Sequence, residues 1–176
     1  GYADMEYRIE KMPRIEAAGI ERNFGRWQAD EGAEDWQDKM GDVWTFWDDF
    51  LDRGANLILR DKYRLYRAPL WQFGWTRTTD EGDTIVSIGA QADGREYPEL
   101  TRFTVPEHTW AVFPARGRLN QKIHPVSAVL TRALAEWLPA SGYDRAGSGT
   151  MECYGPGNTN SDDYVCELWL PIVKKT

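Results

Sequence analysis

The order of predicted elements repeats once along the chain, and this repetition constrains the fold more than any single motif. In each half, two segments of alternating apolar and polar residues precede a helix, and two more such segments follow it. The predicted strands are residues 7–11, 15–21, 71–76, 84–91, 100–105, 109–115, 149–154 and 164–173. Pro13 and Pro106 interrupt the two halves at the same point in this order. The pattern predicts one duplicated α+β domain over residues 1–176, with pseudo-repeats at about 1–95 and 96–176.

Such a domain would place its helices on one face of an antiparallel sheet and leave the other face for a ligand cleft. Both helices are predicted from apolar residues spaced three and four apart. In the first helix, residues 30–52, these are Trp36, Met40, Val43, Trp44, Trp47, Phe50 and Leu51. In the second, residues 123–138, they are Ile123, Val126, Leu130, Leu134 and Trp137. Residues 56–68 give no clear pattern.

Net charge and composition exclude several classes of function. The formal net charge is -7 and no basic stripe is present, so we expect no direct contact with nucleic acid. No apolar run reaches the length of a membrane span, and residues 1–8 lack the features of a secretory signal. We therefore expect a cytoplasmic protein. Cys153, Cys166 and two histidines offer no ligand spacing for a metal, and we expect no cofactor.

Tryptophan is the unusual residue in this composition. The chain has nine tryptophans beside eight tyrosines and six phenylalanines. Indole rings fill cores or form the walls of ligand sites, and packing alone does not require nine of them in a domain of this size. The excess is a first indication of a binding site.

Five short motifs follow one another in residues 100–174. They read FTVP at 103–106, WAVFPARG at 110–117, EWLPASGY at 136–143, MECY at 151–154 and ELWLPI at 167–172. As a set they resemble the GyrI-like small-molecule-binding domains, which are effector modules of AraC-type and MerR-type transcription regulators. Residues 15–20 and 71–75 match the first half of such domains more loosely.

The resemblance implies a duplicated α+β fold that binds hydrophobic, often cationic, small molecules. It also implies that the glutamate of the MECY motif, Glu152, lies in the pocket, and that a DNA-binding domain is attached or acts as a partner. Some relatives are hydrolases that open cyclopropane-bearing compounds, so the resemblance admits an enzyme as well.

The last two strands are predicted to pair with Cys153 opposite Cys166, and therefore with Glu152 opposite Glu167. This register sends Glu152, Tyr154, Glu167 and Trp169 to the face away from the helices. It sends Met151, Cys153, Cys166, Leu168 and Leu170 to the helices. A shift by one residue would bury a glutamate under the helices, which is costly. The register also brings the two thiols close enough for a disulfide, which the cytosol disfavours.

Glu152 is the predicted ligand-contacting carboxylate, and Glu167 is expected to accept structural hydrogen bonds. A carboxylate in a low-dielectric pocket attracts a cation, and each aromatic ring face adds about 0.5–2 kcal/mol. The candidate ligand-binding residues are Glu152, Tyr154, Trp110, Trp71, Phe73, Trp75, Glu167 and Trp169. Residues 71–75 could instead carry the core, and both carboxylates could instead face solvent. Trp44, Trp47 and Trp137 are expected in the core.

Three functions are compatible with these residues. The first is a ligand-sensing domain, attached to a regulator or free-standing, that binds a hydrophobic small molecule without turnover. The second is a hydrolase of electrophilic cyclopropane-type compounds that uses Glu152 as a general acid or base. The third is a protein inhibitor that docks through the acidic helix at 30–52. Glu152 alone does not separate the binder from the hydrolase, and no Ser-His-Asp, Cys-His or metal constellation offers another catalytic route. We favour the first function and rank the inhibitor last.

Overall fold

The computed structural model describes residues 5–26 and 33–176, and describes side chains for 5–26 and 41–176. In chain order these residues form β1 (Arg8–Met12), β2 (Ile15–Arg26), α1 (Ala33–Asp52), α2 (Ala55–Leu57), β3 (Gln72–Thr78), β4 (Asp83–Gln91), β5 (Thr101–Val105), β6 (His108–Arg116), α3 (Pro125–Arg132), α4 (Leu138–Ala140), β7 (Tyr143–Arg145), β8 (Thr150–Tyr154) and β9 (Val165–Lys174). π-Helical turns extend α2 over Ile58–Lys62 and α3 over Ala133–Trp137. The architecture is α+β with antiparallel strand pairing, as the sequence predicts.

The chain separates into two compact units. The first unit is Glu16–Thr104, and the second is Val105–Thr176 together with the N-terminal segment that ends at Ile15. Each unit therefore contains one strand from the other half of the sequence. β5 lies beside β2 in the first unit, and β1 pairs with β6 in the second. The duplication inferred from the order of elements stays a prediction.

The first unit orders its strands β3-β4-β2-β5. Helix α1 packs Phe46 and Phe50, both buried, against one face of this sheet. The sheet residues in that core are Ala18, Ile20, Val86, Ile88 and Ala90. Trp44 is 60% exposed, so the expectation that it packs in the core was wrong. Phe46, which lies one helical turn before Phe50, takes the core-facing position instead.

The second unit orders its strands β1-β6-β9-β8, and β7 pairs with the C-terminal part of β9. Val126, Ala133 and Trp137 cover one face of this sheet. The sheet residues beneath them are Ala111, Phe113, Ala115, Cys166, Leu168, Leu170 and Ile172. We call this surface the helix face of the second unit. Trp137 is buried, which confirms its predicted place in the core.

Most predicted elements are present, and the differences are local. The sequence analysis missed β7, a strand of three residues. The segment at 56–68, which gave no pattern, includes α2 and its π-helical turn. The predicted first turn of the first helix, residues 30–32, lies outside the described residues. No helix in the described part of the chain has the length and apolar character needed to cross a bilayer.

Candidate functional site

The pairing of β8 with β9 differs by one residue from the predicted register. Glu152 lies opposite Leu168, and Cys153 lies opposite Glu167. The predicted pairs Cys153–Cys166 and Glu152–Glu167 were therefore wrong. Cys153 and Cys166 now lie on opposite faces of the sheet, and both are free, buried thiols.

This register directs Glu152 and Tyr154 toward the helix face of the second unit. Residues directly opposite each other in an antiparallel pair share a face, and Leu168 belongs to the core beneath the helices. Tyr154 packs against the same core. The sequence analysis rejected this arrangement because of the cost of burying a glutamate, and the structure contains it.

The cost of this burial is visible in the pKa of Glu152. Burial raises that pKa to about 7, and a hydrogen bond from the Tyr154 hydroxyl, which favours the ionised form, opposes the rise. Glu152 is nevertheless only half-buried, so part of the residue is accessible to solvent. The protein around the carboxyl removes much of its hydration, although part of the residue remains in contact with solvent. A carboxyl in this state can hold a cation or exchange a proton near neutral pH.

Tyr154 connects Glu152 to the start of helix α3. Its hydroxyl lies 3.4 Å from Nε2 of His124, and the two rings meet edge to face with centroids 6.1 Å apart. Burial raises the pKa of Tyr154 well above its usual value, so the phenol remains protonated. His124 was not among the predicted site residues. A signal was present, since a histidine followed by a proline immediately before a helix can occupy the N-cap position.

The other face of the second unit holds the remaining candidates from this half. Trp110 and Trp169 are fully buried and contact each other edge to face, with centroids 6.1 Å apart. Glu167 accepts hydrogen bonds from Arg8 at 2.6 Å and from Nε1 of Trp169 at 3.2 Å. This is the structural role expected of Glu167. The structure therefore does not bring Trp110, Glu167 or Trp169 to the face that carries Glu152.

In the first unit, Phe73 and Trp75 lie on the sheet face away from α1. Their opposite partners in β4 are Gly89 and Ser87, which alternate with the core residues Val86 and Ile88. Phe73 is fully buried, and Trp75 stacks on the Arg77 guanidinium at 3.9 Å. Trp71 precedes the strand with a positive φ of 56°, so it does not continue the alternation.

Among the side chains of residues 5–26 and 41–176, no three from histidine, cysteine, aspartate or glutamate come together as a metal would require. Burial raises the pKa of Cys166 to about 12 and raises that of Cys153 well above its usual value. Both thiols are therefore protonated at neutral pH and poor as metal ligands or nucleophiles.

The family follows from a match over most of the chain. A family profile described as the GyrI-like small molecule binding domain matches residues 40–173. The chain belongs to this family. Among curated proteins, no relative matches this GyrI-like domain.

Solved structures share the fold of this GyrI-like domain at low sequence identity. A Staphylococcus aureus MU50 protein assigned to bacterial transcription regulation superposes with a TM-score of 0.75 at 17% identity, over 96% of this chain and 98% of that one. SAV2435 bound to tetraphenylphosphonium gives 0.74 at 18% identity, over 96% and 94%. The C-terminal domain of EcmrR gives 0.57 at 12% identity, over 98% and 99%.

Proposed function

We propose that this domain binds a hydrophobic cation and that Glu152 supplies the negative charge that holds it. The observation that carries the proposal is the half-buried carboxyl of Glu152, which the strand register directs to the helix face beside Tyr154. Burial there raises its pKa to about 7. A fold gains no stability from burying such a group, because the charged form loses hydration. A bound cation would compensate for this lost hydration by its electrostatic attraction to the carboxylate. The attraction is stronger than in water because the cation also sheds water on entering an apolar site.

The aromatic composition fits the same ligand class. Tyr154 lies beside the carboxyl and offers a ring as well as a hydroxyl. Cation–π attraction contributes about 0.5–2 kcal/mol per ring face when the cation is desolvated. A ligand that combines positive charge with apolar rings would satisfy both Glu152 and its surroundings. The likeness to SAV2435, which was solved with tetraphenylphosphonium, supports this ligand class.

We also propose that the domain acts as the sensing part of a transcription regulator. The support is the likeness to EcmrR, whose DNA complex was solved with a chain of which this domain covers 58%. In such an arrangement the remaining part of the regulator would contact DNA. The net charge of -7 fits a domain that leaves this contact to another part of the protein.

The direct test compares a cation with a neutral ligand on the Glu152→Gln variant. We expect tetraphenylphosphonium to bind 30-fold to 100-fold more weakly, because a charge pair about 6–8 Å apart at an effective dielectric near 20 is worth roughly 2–3 kcal/mol. Triphenylphosphine oxide, which is neutral, should change by less than about threefold. Isothermal titration calorimetry at pH 8 measures both.

A matched variant controls for net charge. Glu107→Gln also removes one negative charge, but from an exposed turn, where screening leaves little effect on a distant ligand. It should bind tetraphenylphosphonium like the wild type. Equal loss of cation and neutral ligand in Glu152→Gln would contradict the electrostatic role of Glu152 and indicate a change of shape instead.

Affinity for a cation should rise with pH through neutrality. The cation binds the ionised carboxyl, and with a pKa of about 7 the ionised fraction rises about tenfold between pH 6 and pH 8. Burial lowers the pKa of both His108 and His124, and both histidines remain in Glu152→Gln, so that variant controls for their contribution. We expect about tenfold tighter binding at pH 8 than at pH 6, and no such dependence in Glu152→Gln.

A further inference from the structure

His124 is the N-cap of helix α3, and its geometry fixes the position of its proton. Its backbone is extended, with φ -62° and ψ 136°, and its Nδ1 lies 3.1 Å from the backbone N–H of Val126. A backbone N–H can only donate, so Nδ1 must accept and carries no proton. The neutral ring therefore holds its proton on Nε2.

The surroundings of His124 keep the ring in this neutral form. Burial lowers the pKa of His124. The positive end of the α3 dipole also opposes a second proton at this position. Protonation of Nδ1 would in addition remove the cap of the helix. The three effects act in the same direction and hold the Nε2–H tautomer at neutral pH.

The proton on Nε2 determines the direction of the hydrogen bonds that the Tyr154 hydroxyl makes. Nε2 faces the Tyr154 hydroxyl at 3.4 Å and, because it carries the hydrogen, it is the donor. The phenol oxygen then accepts from His124, and its own hydrogen is directed to another acceptor. Glu152 lies two residues earlier on the same face of β8 and takes that hydrogen bond. A donor that itself accepts a hydrogen bond is polarised and donates more strongly.

We propose that His124 is a positioning residue for Glu152, which it orients through Tyr154 by a chain of hydrogen bonds that begins at the N-terminus of α3. The chain runs from the Val126 amide to Nδ1, and from Nε2 through the Tyr154 hydroxyl to the carboxylate. Its effect on ligand affinity rests on the proposed function, whereas its effect on the Glu152 carboxyl does not. The start of helix α3 and the proposed cation site are thereby linked.

The two cysteines near the Glu152 carboxyl do not influence its titration near neutral pH in the way proposed for His124. Within the described residues, Glu152 interacts electrostatically with Cys153 on its own strand and with Cys166 on β9. Burial keeps both thiols protonated. Neither changes charge near pH 7, so neither thiol would account for a change in the titration of Glu152 after substitution of His124.

The test titrates the Glu152 side-chain carboxyl by ¹³C NMR in the ligand-free protein. His124→Asn retains a good N-cap residue but lacks the distal nitrogen. We expect the titration midpoint to rise by about half a pH unit, because the carboxylate loses part of a hydrogen bond. Tetraphenylphosphonium affinity at pH 7 should then fall by about twofold. Tyr154→Phe, which removes the hydroxyl itself, should shift the midpoint further.

The double variant separates the relay from a general structural effect. In the Tyr154→Phe background, His124→Asn should cause no additional shift of the midpoint, because the link is already broken. His108→Asn, which replaces the other histidine, should leave the midpoint unchanged. An unchanged midpoint in His124→Asn, or the same shift with and without the Tyr154 hydroxyl, would overturn the proposal. A midpoint shift without any cation binding would preserve the relay and contradict the proposed function.

Discussion

Replacing Glu152 by glutamine should stabilise the protein by about 3 kcal/mol at pH 8. The pKa of Glu152 rises from an ordinary 4.5 to about 7 in the folded state, and each unit corresponds to about 1.4 kcal/mol. Because the folded state binds the proton more tightly, stability is greatest below pH 4.5 and falls as the pH rises through 7. Glutamine resembles the protonated form and can still accept from Tyr154, so it avoids this loss.

Urea denaturation of both proteins at pH 5 and pH 8 checks this expectation. The two histidines, whose pKa values burial lowers, add a pH dependence of opposite sign. They are present in both proteins, so the difference between wild type and variant isolates Glu152. That difference should be below about 1 kcal/mol at pH 5 and reach about 3 kcal/mol at pH 8. A difference that does not change with pH would mean that the carboxyl is not desolvated.

Glu167→Gln provides a control in which we expect the change in stability to have the opposite sign. Glu167 faces the other side of the sheet and pairs with Arg8, whose pKa it raises. Loss of that charge should reduce stability slightly, within the range of about 0–1 kcal/mol typical of an accessible ion pair. Two adjacent strands would thus carry two glutamates whose neutralisation has opposite effects. The gain at Glu152 would also be the expected signature of a residue kept for binding rather than for stability.

Replacing Gly89 by alanine should destabilise the protein by about 3 kcal/mol or more. Gly89 in β4 lies directly opposite Gly19 in β2. A Cβ added to Gly89 would overlap the backbone carbonyl of Ala18, and one added to Gly19 would overlap that of Ile88. Backbone in the middle of a paired strand cannot move aside without breaking ladder hydrogen bonds. Such overpacking is among the costly classes of substitution.

The same substitution at Gly41 should act in the opposite direction. Gly41 lies inside α1, and a Cβ there would meet no atom within 4 Å. Alanine is favoured over glycine in a helix interior, so Gly41→Ala should stabilise the protein by about 0.5–1 kcal/mol. Thermal denaturation of both variants measures the contrast. Equal effects at the two positions would show that β2 and β4 can separate enough to admit the methyl group.

Local patterns in the sequence were sufficient to locate most of the fold. Alternation predicted β6 at 109–115, where the strand covers His108–Arg116. Apolar spacing predicted the first helix, which ends at Asp52 as expected. The motifs of residues 100–174 predicted the family, which the match over residues 40–173 confirms. These features depend on short stretches of chain, whose periodicity follows from backbone geometry alone.

The site shows where local patterns stop being informative. The register of β8 and β9 depends on the path of the loop between them and on the packing of both strands. Its choice from sequence rested on the rule that a glutamate is not buried under helices. The structure breaks that rule at Glu152 and raises its pKa to about 7. Departures from packing rules are expected where a residue serves binding rather than stability.

The sequence by itself determined the type of most strands and helices and the family. Only the tertiary structure decided which face Glu152 occupies, which rings share that face, and that the ring of His124 contacts the Tyr154 hydroxyl. The reason is physical: periodicity is a property of one segment, whereas a shift of one residue between two strands reverses the faces of every side chain involved. The contact between Tyr154 and His124 joins residues 30 positions apart, and no local pattern encodes such a distance.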